Sequence, residues 1–157
     1  MQKYPITPHG FEKMNEELTK LKTYDRPRII EAIAEAKAQG DLSENAEYTA
    51  AKEEQGMIEA KISDLESKIG LAEVIEPRDI NSDKIQFGAT VTLIDSDNSE
   101  MKKYKIVGDY ESDLSNGYIS VFSPLAHAML GKSVGDEVES QTPRGVKYYE
   151  VEKVEYI

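Results

Sequence analysis

The sequence predicts two parts of different class. The first is an N-terminal antiparallel hairpin of two long helices, and the second a small α+β domain built on short antiparallel strands. Three observations carry this prediction. Apolar residues recur at helical spacing as far as residue 72, and the pattern turns to strand-like alternation from residue 89. Between the two, "EPRDINSDK" (76–84) has the composition of a linker or loop. The expected division is therefore an arm over 1–76 and a globular part over 77–157.

The elements follow in order. Thr7-Pro8 reads as an N-cap followed by proline at the first helical position. Phe11, Met14, Leu18 and Leu21 then make one apolar stripe. "YDRP" interrupts it, because proline lacks a donor and disfavours helix at the residue before it, so Pro27 predicts a break at Arg26. The stripe resumes out of step through Ile29, Ile30, Ile33 and Ala36, and Gly40 stands where a C-cap glycine belongs.

A second seam follows. Ile58, Ile62, Leu65, Ile69 and Ala72 recur at spacings of four and three, and the count runs back through Gln55, Ala51 and Tyr48 to Glu44. Two narrow stripes joined by a short turn bury themselves only against each other. About thirty residues at ~1.5 Å rise give an arm on the order of 45 Å long. Gly56 is the weak position in the second helix.

Beyond the loop, "ATVTLID", "KKYKIVGD", "GYISVFS", "DEVES" and "VKYYEVEKVEYI" predict strands. "SPLAHAMLGK" predicts a short helix with Ser123 as cap, Pro124 first and Gly131 as stop.

Composition narrows the function. The net charge of −11 argues against a protein whose main affinity is for nucleic acid, since phosphate binding draws on clustered Lys and Arg. The acidity is even, with 10 basic and 15 acidic residues up to position 75 and 9 and 15 beyond it, so neither half is a basic arm. Absence of cysteine excludes disulfides and thiolate chemistry. The first ten residues lack the apolar core of a signal peptide and no apolar run is long enough to span a membrane, so a cytoplasmic protein is expected.

The candidate chemistry lies in "GDLSENAEY". Asp41 and Glu44 have the spacing of a capping box, with Asp41 at the N-cap and Glu44 reaching back. Lys37, in the last turn of the preceding helix, suits the negative end of the helix dipole. Carboxylates are also the preferred ligands of Mg²⁺, which takes one or two of them and keeps several waters. A carboxylate has about four acceptor positions, so one oxygen can cap while the other faces a metal. Two acids alone hold Mg²⁺ poorly, and another molecule has to complete such a site. The remaining candidates are weaker. His9 and His127 are too far apart for a metal site, no phosphate loop or nucleophile elbow is present, and Tyr104, Tyr118 and Tyr148 read as half-buried strand residues.

"EAIAEAKAQGDLSENAEYTAAKEEQ", followed by "FGATVTL", "YKIVGD", "ISVFSPLAHAMLGK" and "GDEVE", closely resembles the Gre family of bacterial transcript cleavage factors over nearly the whole chain. The resemblance implies an N-terminal antiparallel coiled coil and a C-terminal FKBP-like domain. It implies RNA polymerase as partner, with the coiled coil entering the secondary channel to bring its acidic end to the catalytic centre of a backtracked complex. By position, Asp41 and Glu44 are the acids that help hold a second Mg²⁺, shared with the polymerase, and orient the water that cuts the RNA. Lys37 and Lys52 match the family's contacts to the RNA 3′ end, where arginine is common, and Ser123, Pro124, Leu125 and Ala126 match its polymerase-docking loop. The factor is then an accessory that lends ligands and is no enzyme alone. It has no membrane partner and no sequence-specific DNA site. The small basic spot implies removal of short RNA fragments. Two other readings stand beside this one: a channel-binding inhibitor without cleavage activity, and a prolyl isomerase using the FKBP-like domain.

Overall fold

A computed structural model describes residues 3–157; Met1 and Gln2, the first residues of the expected arm, lie outside the described residues. Contacts divide the chain into two units, residues 11–71 in one and residues 3–10 with 72–157 in the other. Residues 3–10 and 72–76, assigned by sequence to the arm, thus group with the globular unit.

In the first unit the chain is helical almost throughout. Helix α1 (Pro8–Lys20) runs through one π-helical stretch (Leu21–Asp25) into α2 (Arg26–Lys37), and Lys20, Asp25 and Arg26 at the junctions all keep right-handed helical angles. The break expected at Arg26 is therefore a widened turn instead of an interruption. The Arg26 amide donates to the Leu21 carbonyl, five residues back. That wider turn, just ahead of the donor missing at Pro27, admits one extra residue. It also explains the shifted stripe: Leu21 and Ile29, both buried, lie eight apart where a heptad allows seven. Ile29, Ile33 and Ala36 are buried, whereas Ile30, expected on the stripe, is 52% exposed.

After a single 3₁₀ turn (Leu42–Glu44) comes α3 (Ala46–Leu71), 26 residues or about 39 Å at 1.5 Å each. Ala51, Ile58, Ile62 and Leu65 are buried, and Tyr48, Gln55 and Ile69 are half-buried, so the expected seam holds from Tyr48 onward. Each buried Ile or Leu contributes about 1.5–3 kcal/mol by leaving water. Ion pairs fix the direction of pairing. Lys22 meets Glu66 at 3.3 Å, Arg26 meets Glu59 at 2.8 Å and Arg28 meets Glu54 at 3.0 Å, one number rising as the other falls. The helices are antiparallel. Gly56 sits exposed within α3 without ending it.

The second unit is a mixed sheet with one short helix. Strands β3 (Thr90–Asp95), β4 (Met101–Val107), β5 (Tyr118–Ser120), β6 (Glu137–Thr142) and β7 (Gly145–Glu155) order as β5-β4-β3-β7-β6. Each of the five overlaps a segment the sequence predicts, with β4 and β7 starting one residue earlier and β6 ending two residues later than expected, but β5 runs parallel to β4, which corrects an all-antiparallel sheet. The ten residues from Gly108 to Gly117 make the crossover, using two 3₁₀ turns. Strand β7 carries a bulge: Thr92 faces Lys153 and Leu93 faces Val151, so Glu152 is the extra residue. The core side of β7 accordingly changes phase, from Tyr149 and Val151 to the half-buried Val154 and Tyr156. Helix α4 (Pro124–Met129) starts as expected, with Ser123 Oγ accepting from the Ala126 amide at 3.2 Å, and Gly131 follows at φ +83°.

Sequence patterning gave no sign of a second, two-stranded sheet. Strand β1 (Tyr4–Ile6) pairs in parallel with β2 (Ala72–Val74). The segment is held to the domain by Glu111, whose carboxylate accepts from the Thr7 amide at 3.0 Å, the Thr7 hydroxyl and the Gly108 amide at 2.9 Å. Thr7 Oγ1 also accepts from the Gly10 amide at 3.2 Å, the N-cap bond that the sequence predicts.

Candidate functional site at the turn of the hairpin

The turn between α2 and α3 is built from the ends of both helices. Helix α2 ends at Lys37 with Ala38 as its C-cap. Gly40 follows two residues later at φ +128°, where any side chain is strained, so the glycine belongs to the reversal and not to the cap. Asp41 then takes an extended conformation and the chain makes the 3₁₀ turn.

Asp41 and Glu44 flank that turn, both exposed. The expected capping box does not form. Asp41 Oδ1 accepts from the Ser43 amide at 3.0 Å and from the Ser43 hydroxyl at 2.8 Å, so it caps the 3₁₀ turn and not α3. These two bonds, the hydroxyl first, hold the Asp41 carboxyl below the usual carboxylate range. Glu44 does not reach back; among the described residues no hydrogen bond or ion pair engages its carboxylate, nor Oδ2 of Asp41.

The cap of α3 is Asn45. Its Oδ1 accepts from the Tyr48 amide at 3.0 Å, and its Nδ2 donates to the Ala36 carbonyl at 2.7 Å. Sequence reasoning missed it, although asparagine before a helical run is a cap signal as strong as aspartate. The spacing of Asp41 and Glu44 masked it.

The donor set decides what this turn can bind. Its free oxygens are hard carboxylate donors suited to Mg²⁺. Among the described residues, no cluster of three or more His, Cys, Asp or Glu side chains is placed to hold an ion. The two acids fit one half of a shared site and not a self-contained one.

The remaining sequence candidates lie apart. Lys37 is the exposed last residue of α2. Lys52 is exposed one turn into the seam of α3, with its ammonium 3.3 Å from Gln55 Oε1. In the sheet domain, Ser123 caps α4 and Pro124 is exposed, but Leu125 packs against the core and Ala126 is fully buried. Ala126 is thus a core residue and has no surface to offer a partner, while the adjacent Phe122 is 48% exposed. His9 and His127 are exposed, and Tyr118 and Tyr148, expected half-buried, are each 42% exposed. Among the described residues no helix is long and apolar enough to cross a membrane.

Comparison with known proteins matches both parts of the chain. A family profile described as "Transcription elongation factor, N-terminal" covers residues 4–74, and one described as "Transcription elongation factor, GreA/GreB, C-term" covers residues 80–156. The chain is 52% identical over 157 residues to transcription elongation factor GreA of Phenylobacterium zucineum (strain HLK1), covering 100% of both. It is also 52% identical, with the same full coverage, to GreA of Caulobacter vibrioides (strain NA1000 / CB15N). Among solved structures, the GreA factor homolog 1 protein of Thermus thermophilus aligns at 26% identity and TM-score 0.46, over 98% of this chain and 99% of that one. With both profiles matched and full-length relatives at this identity, the chain is a GreA-like member of the GreA/GreB family of transcription elongation factors.

Proposed function

We propose that this elongation factor binds RNA polymerase and stimulates cleavage of the RNA 3′ end in backtracked complexes, so that elongation resumes. The observation that carries the reading is the exposed turn at the end of a helical hairpin, where Asp41 Oδ2 and the Glu44 carboxylate have no partner among the described residues. The hairpin acts as a coiled coil that enters the secondary channel, and a helix of about 39 Å gives the reach that a channel demands. The FKBP-like sheet domain docks outside, through the loop of Ser123, Pro124 and Leu125 that Ala126 anchors from within. The polymerase and the protein work in the cytoplasm.

The residues act as follows. Ser43 pins one oxygen of Asp41 and holds its carboxyl below the ordinary range, leaving Oδ2 without a partner among the described residues. Asp41 and Glu44 together lend their free oxygens to the polymerase centre, where they would help hold a second Mg²⁺ and orient the attacking water. A second Mg²⁺, if held there by Asp41 and Glu44 together with the polymerase, would supply charge for activating water and stabilising the leaving oxygen of the phosphodiester. Lys37 and Lys52 offer positive charge to the extruded RNA, without the planar fork of arginine. The protein is an accessory and catalyses nothing alone.

Purified protein added to backtracked elongation complexes is expected to yield RNA shortened by a few nucleotides from the 3′ end. Binding without shortened RNA would identify a channel-binding inhibitor instead.

A further inference from the structure

Every residue from Lys37 to Glu44 is exposed, so no packing holds the acidic turn. At its base a side chain joins the two helix ends. Asn45 accepts from the start of α3, at the Tyr48 amide, and donates to the end of α2, at the Ala36 carbonyl, with distances of 3.0 and 2.7 Å. The Tyr48 N–H is a helix-end orphan, whereas the Ala36 carbonyl already accepts from the Gln39 amide at 3.2 Å and uses its spare capacity for Asn45. Their types permit a single orientation of the amide, and they demand a side chain that is donor and acceptor at once. The Asn45 carbonyl extends the clasp by accepting from the Thr49 amide at 3.1 Å and the Thr49 hydroxyl at 3.2 Å.

We propose that Asn45 is a positioning residue for cleavage: by tying both helix ends together it sets where Asp41 and Glu44 sit when they meet the metal-bound centre. The inference rests on the cleavage reading above. It adds that the placement of these acids depends on the bond that joins the two helix ends at the base of the turn, Asn45 Nδ2 to Ala36 O. Misplacing ligands by a fraction of an ångström to one ångström costs about ten- to a hundredfold in rate. The clasp thus acts on the rate within the complex and not on binding, because docking belongs to the other domain.

The discriminating variant is Asn45→Ser. Serine caps a helix as well as asparagine does, so α3 is retained and the melting temperature falls only by what loss of the Ala36 bond costs, but its short hydroxyl cannot reach both partners. Asn45→Asp serves as the second variant, keeping the acceptor and losing the donor. Four quantities are measured: backbone ¹⁵N relaxation of residues 41–44 in the free protein, the Mg²⁺ concentration for half-maximal cleavage, the cleavage rate at saturating factor, and the factor concentration for half-maximal cleavage. With both variants we expect greater mobility over 41–44, a Mg²⁺ requirement raised several-fold, and cleavage at saturating factor slowed about tenfold, with the half-saturating factor concentration unchanged. Unchanged mobility or an unchanged Mg²⁺ requirement overturns the proposal. An Asp41→Asn control separates the two claims: if it still cleaves, the reading of the acidic turn fails, whereas the relaxation data still judge the clasp.

Discussion

Oδ1 of Asp41 accepts both polar hydrogens of Ser43, the amide at 3.0 Å and the hydroxyl at 2.8 Å, while the second oxygen stays open. One carboxylate therefore shapes the turn and remains available as a ligand. The cap of the 3₁₀ turn occupies one oxygen and, among the described residues, leaves the other without a partner, as the proposed metal role requires.

That arrangement has a titration signature. The Asp41 carboxyl lies below its ordinary value of 3.8, with the Ser43 hydroxyl as the first cause. In Ser43→Ala the amide bond remains and the hydroxyl bond is lost, so the Asp41 pKa should rise toward the ordinary value. Carboxyl ¹³C shifts followed from pH 2 to 7 measure it directly. A pKa unmoved by the substitution would remove the hydroxyl from the explanation.

Glu111 provides a test in the sheet domain. Its carboxylate takes three hydrogens, from Thr7 twice and from Gly108. Glu111→Ala leaves these part-buried donors without their acceptor, at a cost of about 1–3 kcal/mol for a buried group left unpaired. Urea denaturation of the sheet domain's transition should show a lower midpoint at unchanged slope.

Two glycine substitutions should have opposite signs. Gly56→Ala lies in the middle of α3 with open space around the new methyl, so helix propensity alone should stabilise the hairpin by about 0.8–1 kcal/mol. At Gly10, also helical, a Cβ would stand 2.3 Å from the Glu111 side chain. Moving Glu111 aside breaks its bonds to Thr7 and Gly108, so Gly10→Ala should lower the melting temperature despite better propensity. Thermal melts of the two variants side by side decide this.

Asp95 sets an acid limit to the sheet. It is 1% exposed and accepts from Lys147 Nζ at 2.7 Å and from the Asp97 amide at 2.9 Å, which together hold its carboxyl below the ordinary 3.8. A folded-state pKa below the unfolded one gives stability that is fully present above the unfolded value and lost as pH falls through the folded one. Lys147→Met removes the first cause, so its destabilisation should be largest near neutral pH and shrink below pH 3.8. Urea midpoints measured from pH 2 to 7 check the sign.

Much of this was legible because it depends on period. The seam from Tyr48 to Ile69, the five strand segments and the capped entry of α4 all follow from apolar spacing and turn residues. The shifted stripe after Leu21 was visible, but its cause was not: a π turn and a helix break leave the same one-residue offset in sequence. Strand β1 was hidden because three residues containing a proline carry no alternation, and only pairing with β2 makes them a strand. The parallel course of β5 depends on where a crossover lays the chain, which strand periodicity does not encode. At the acidic turn, the spacing of the two acids drew the cap to Asp41 and masked Asn45, whose bond to Ala36, nine residues back, has no local signal.

The central claim is that Asp41 and Glu44 act as donated ligands. It is tested most directly by the cleavage rate of defined backtracked complexes given Asp41→Ala or Glu44→Ala protein, with melting and polymerase binding measured on the same preparations. Loss of the 3₁₀-turn cap in Asp41→Ala should cost no more than about 1 kcal/mol. The account predicts that both variants bind polymerase like the parent protein and leave the RNA uncut. Cleavage at the parent rate by both would contradict it and leave the acids with a structural role only.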